Sequence, residues 1–122
     1  MESEEFVRIA EEEYEALPEL FKGRIENLRI VVEDFPGPDL VRQARVPSPY
    51  GLLGLYQGVP LNHRNTGYGA YPVVPDTITL FKRNIEAVTP PAMIREKIRE
   101  VLIHEIGHYF GMTEEEIRHA GY

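Results

Sequence analysis

His104-Glu105-Ile106-Gly107-His108-Tyr109-Phe110-Gly111 sets H-E-x-x-H inside a helical pattern near the end of a 122-residue chain. Two histidines four residues apart stand one turn above each other on a helix, about 40° apart around its axis. Both imidazoles can then reach one metal ion, while the glutamate beside the first reaches a water on that ion. The stretch reads as a zinc hydrolase site, with His104 and His108 as ligands, Glu105 as general base and one zinc ion per chain. The bland alternative makes the histidines helix-surface or capping residues. Against it stands the motif's position at the C-terminal end of a strongly patterned helix, beside a glycine stop.

Upstream, Thr89-Pro90-Pro91 opens that helix with proline in its first turn, and Ile94, Ile98, Val101, Leu102 and Tyr109 form its apolar stripe. Glu105 falls on the side of Ile98 and Val101, which is expected to face a sheet, so the base and the two histidines border one cleft. Downstream, Gly111 can supply a left-handed stop, and Thr113-Glu114-Glu115-Glu116 has the pattern of a capping box for a last helix running to about His119. The spacing is then H-E-x-x-H-x-x-G-x-x-E. It makes Glu114 a candidate third metal ligand, since a carboxylate is acceptable to zinc. Glu114 fits equally well as a first-turn residue favoured by the helix dipole. His119 is the alternative third ligand and His63 a weaker one.

The first part of the chain reads as a packing helix from Ser3, with Phe6, Val7, Ile9, Ala10, Tyr14 and Leu17 at helical spacing. Glu11-Glu12-Glu13 fits a solvated face of that helix. Leu28 to Asp34, Leu52 to Gln57 and Thr77 to Lys82 read as strands, with a short helix or irregular connection over 39–46. Residues 58–76 show no periodicity and are rich in Gly, Pro, Asn and Tyr, which marks a long loop of the functional kind.

Length and a 43% hydrophobic composition suit a single domain over 1–122. Without cysteine, a metal must rest on histidine and carboxylate, which fits an open catalytic ion better than a closed structural one. A formal charge of −7 argues against a nucleic-acid partner, because such binding needs clustered Lys and Arg. The acidic start, Met1-Glu2-Ser3-Glu4-Glu5, has no basic region before an apolar run, and no segment reaches bilayer length. The expectation is a cytoplasmic protein with a peptide or protein substrate and no membrane partner.

The residues quoted resemble the zincin metallopeptidases, and more closely a family of small bacterial zincin-like metallopeptidases with a minimal metalloprotease fold. The likeness runs through the acidic N-terminal helix, Val32-Glu33-Asp34-Phe35-Pro36, Gly51-Leu52-Leu53-Gly54-Leu55-Tyr56, Thr77-Ile78-Thr79-Leu80-Phe81 and the block from Val101 to Ile117, the most specific part. It implies an α+β fold in which a small mixed sheet of about three to four strands packs on the active-site helix, with N-terminal and short C-terminal helices. It also implies that His104 and His108 bind zinc, that Glu105 is the base, and that Glu114 matches the family's acidic position after the glycine. Thr77 to Phe81 would be an edge strand able to pair with an extended peptide.

Only eight residues follow Glu114, too few for the C-terminal subdomain and Met-turn of full metzincins. The substrate pocket is then expected to be shallow, built by residues 58–76, or completed by another subunit of a homo-oligomer. Tyr68, Tyr71, His63 and Arg64 are oxyanion candidates by location, although a tyrosine there can equally pack the loop. Tyr109 and Phe110 are expected in the core. The competing function is a metal-binding regulatory or interaction domain with weak or no catalysis.

Overall fold

Helix α1, Ser3–Glu15, turns Phe6, Ile9 and Ala10 inward, and all three are buried. Its cap residue is Glu2, with no side-chain cap, so Ser3 is the first helical residue and not the cap that its chemistry suggests. The computed structural model describes residues 1–58 and 75–121. After α1 come α2 (Glu19–Lys22), β1 (Leu28–Glu33), α3 (Pro38–Ala44), β2 (Gly54–Gln57), β3 (Asp76–Phe81), α4 (Lys82–Ala87), α5 (Ile94–Tyr109) and α6 (Glu114–His119). The fold is α+β, with a three-stranded mixed sheet among the described residues.

Strand order is β1-β3-β2. β1 runs parallel to β3, with Ile30 opposite Ile78, and β2 runs antiparallel to it, with Tyr56 also opposite Ile78. This corrects the expected edge position of Thr77 to Phe81: β3 is the central strand. Ile78, Thr79, Leu80 and Phe81 are all buried, so the alternation of threonine with larger apolar residues does not separate a wet face from a dry one. A strand covered on both faces carries no such signal. Among the described residues β1 and β2 are the two outer strands, and β2 lies against α5.

Helix α4 follows β3 without a break, which the sequence reading did not anticipate. Its Asn84 is buried and donates both amide hydrogens, to Pro49 O at 2.7 Å and Leu52 O at 2.8 Å. These bonds tie the turn at Pro49–Gly51, and the lead into β2, to the helix that follows β3. The core joins Phe6 and Ile9 of α1, Phe21 of α2, Ile78 and Leu80 of β3, and Ile98, Leu102 and Ile106 of α5. Glu13 is buried as well, and it pairs with Arg95 at 2.8 Å and Arg99 at 3.9 Å on α5. Of the three consecutive glutamates, two therefore tie α1 to α5: Glu13 from a buried position, and Glu12, also on Arg95 at 2.9 Å, from the exposed side.

Candidate metal centre

α5 presents two faces. Ile98, Leu102, Ile103 and Ile106 are buried, whereas His104 and Glu105 are partly exposed and His108 is exposed. The helix ends at Gly111, whose φ of +81° is the left-handed conformation that favours glycine. The Gly111 N–H donates to His108 O at 3.0 Å and the Met112 N–H to Gly107 O at 2.8 Å, satisfying carbonyls of the last turn. α6 then starts with a complete capping box: Glu116 N–H donates to Thr113 Oγ1 at 3.1 Å, and Thr113 N–H to Glu116 Oε1 at 3.2 Å. The box follows the sequence expectation residue for residue.

Gly107, between the two histidines, lets α6 come close. A Cβ at this position would lie 2.9 Å from Ile117 Cδ1, and Ile117 is fully buried. With Ile117 seated there, the first residue of α6 swings over the histidines. Glu114 Oε1 lies 3.2 Å from His104 Nδ1 and 2.8 Å from His108 Nε2. Ligand atoms of these three residues all fall within 4.8 Å of one another, the sole such group of metal-ligating side chains among the described residues. His119 is not in it; it is exposed on α6 and 4.0 Å from Glu115. His63, Arg64, Tyr68 and Tyr71 lie outside the described residues.

Glu105 sits apart from this trio, towards the sheet. Burial pushes its carboxyl above the ordinary carboxylate range, opposed by His108, the main-chain N–H of Tyr56 and His104. Glu114 shifts the other way. Partial desolvation raises it, but the hydrogen bonds and charges of His104 and His108 outweigh that and hold it low. Two carboxylates on one site thus have environments that separate a group that holds its proton more readily from an anion held by its neighbours.

Beside Glu105 a groove of about 230 Å³ runs between α5 and the lead into β2. Leu52, Leu53, Gly54 and Val101 form its apolar part, and Lys97 and Glu100 stand at its rim. Its wall is the segment that Asn84 holds. At the other end of the site Tyr109 is not a core residue: it is 46% exposed, and its ring stacks on that of Tyr56 with centroids 4.2 Å apart. The sequence reading missed Asn84, Tyr56 and Tyr109 because their roles arise from packing between elements distant in sequence. Tyr109 carried only one hint, its place four residues after Glu105 on the same helical face.

No helix among the described residues is long and apolar enough to cross a membrane. A search of curated proteins finds no match. The family profile described as zincin-like metallopeptidase matches residues 25–122, which include β1 to α6 and every residue of the site. A match over that much of the chain means that the protein belongs to the zincin-like metallopeptidase family.

Proposed function

We propose that the protein is a zinc-dependent peptidase, in which His104, His108 and Glu114 hold the ion and Glu105 is the catalytic base. The observation that carries this reading is the convergence of Glu114 on both histidines while Glu105 stays free of the trio. The donor set fits the metal. Two imidazole nitrogens and a carboxylate oxygen suit a catalytic zinc, and the Glu114 distances of 2.8 and 3.2 Å lie near the roughly 3.3 Å edge of a tetrahedral site. When bound, zinc supplies Lewis acidity, polarising the peptide carbonyl and bringing a coordinated water to near-neutral acidity.

Glu105 takes a proton from the attacking water and delivers it to the departing amine nitrogen, a role its raised affinity for protons supports. The substrate lies extended beside β2, an edge strand of the sheet among the described residues, in place of the interior strand β3. Its side chain next to the scissile bond rests in the groove of Leu52, Leu53 and Val101.

The test combines metal analysis with turnover. Protein purified without added metal or a histidine tag should hold near-stoichiometric zinc, lost in His104→Ala and strongly reduced in Glu114→Ala. Glu105→Gln should keep zinc while hydrolysis of an unstructured protein substrate falls by about 10²–10⁴-fold, the usual worth of a general base. Zinc retained with no hydrolysis by the wild type would leave a metal-binding regulatory domain, and no zinc at all would remove both readings.

A further inference from the structure

Helix α5 and strand β2 run side by side with matched spacing. A Cβ on Gly54 would lie 2.8 Å from Val101 Cγ1, and one on Gly58 would lie 1.7 Å from the Tyr109 hydroxyl. The two glycines therefore mark where the helix presses on the strand, at Val101 and Tyr109. Four helical residues rise about 6 Å and two strand residues about 6.6 Å, so the steps 101-105-109 and 54-56-58 keep pace. Tyr56 is thereby set opposite Glu105.

The ladder fixes which way Tyr56 presents its main chain. Phe81 N–H donates to Leu53 O at 2.9 Å, so in this antiparallel pair Leu53, Leu55 and Gln57 turn their main-chain groups to β3. Gly54 and Tyr56 turn theirs away from β3, and the Tyr56 N–H meets the Glu105 carboxylate. The side chain of Tyr56 is held from two directions. Its hydroxyl donates to Asp76 Oδ2 at 2.6 Å, and its ring, only 6% exposed, stacks on Tyr109. Burial and the Asp76 carboxylate both push the phenol's pKa upward, so it remains a donor.

We infer that Tyr56 is a positioning residue for the catalytic base: Asp76 and Tyr109 lock its side chain, and its main-chain N–H fixes the Glu105 carboxylate beside the histidines. The inference rests on the peptidase reading for its catalytic meaning, but not for its geometry. The donor is a main-chain group, so a side-chain substitution does not remove it. Replacing the Tyr56 residue by its α-hydroxy acid analogue turns the N–H into an ester oxygen and keeps the phenol ring; the Leu55 carbonyl, now that of an ester, still faces β3 as a weaker acceptor, which lowers stability and leaves the Glu105 contact to be read from kcat.

In that ester protein kcat should fall by about tenfold, the worth of one hydrogen bond to a charged group, with KM and zinc content unchanged. A merely structural role would lower stability without this split. The second measurement needs no activity: exchange of the Tyr56 amide with solvent should accelerate by about tenfold or more in Glu105→Ala, where its acceptor is gone. An unchanged kcat in the ester protein, or an amide whose exchange ignores Glu105, overturns the assignment. If the wild type hydrolyses nothing, the peptidase reading fails by itself and amide exchange still decides the role of Tyr56.

Discussion

Glu105 and Glu114 have opposite relations to stability, and pH separates them. The folded pKa of Glu105 is raised by burial, so its contribution is fully present below the unfolded carboxyl pKa of about 4.3 and is lost as pH rises through the folded value. At neutral pH the metal-free protein therefore carries a charged, partly desolvated group at a cost. Metal-free Glu105→Gln should melt above wild type at pH 7, and the gap should close as pH falls towards 4. Glu114, held low by His104 and His108, contributes stability above the unfolded pKa that is lost as pH falls through its folded value. Glu114→Gln should give no such gain at pH 7. Thermal melts of the three chelator-treated proteins across pH test this, and a Glu105→Gln protein no more stable than wild type would contradict it.

At the scale of elements, the position of Glu114 depends on how closely α6 docks on α5 through Gly107. Alanine at position 107 improves helix propensity by about 1 kcal/mol, but its methyl group meets Ile117 at 2.9 Å and overpacking costs about 1–3 kcal/mol. The two effects nearly offset in stability and do not offset at the site. Gly107→Ala should weaken zinc binding by on the order of tenfold with little change in denaturant midpoint; equal zinc affinity in a competitive titration would show that α6 docking does not set the site. The features legible in the sequence are those that depend on near neighbours: the Gly111 stop, the Thr113–Glu116 box, and hence the return of Glu114 to the histidines. The features that escaped depend on distant partners. β3 is central because β1 and β2 flank it, α4 begins without a cap or turn signal after Phe81, and nothing around Asn84 announces that it holds Pro49 and Leu52.

Across the whole molecule, α5 is gripped by β2 on the site's side and by α1, which lies before the 25–122 family match. Phe6 and Ile9 bury against α5, and Glu13 binds Arg95 and Arg99, so a helix outside the matched region supports the helix that carries the histidines. Phe6→Ala should cost about 3–5 kcal/mol, a large share of the roughly 5–15 kcal/mol that holds a domain together. Zinc at a free concentration a hundredfold above its Kd adds about 2.7 kcal/mol by mass action, on the order of 10 °C in Tm for a domain of this size. If α1 supplies stability and not site geometry, zinc should raise the melting temperature of wild type and Phe6→Ala by similar amounts. A zinc-induced rise in wild type that vanishes in Phe6→Ala, with the variant still folded by circular dichroism, would instead make α1 part of the machinery that aligns His104 and His108. Equal shifts would place the determinants of the metal centre within β1 to α6 and leave α1 as its brace.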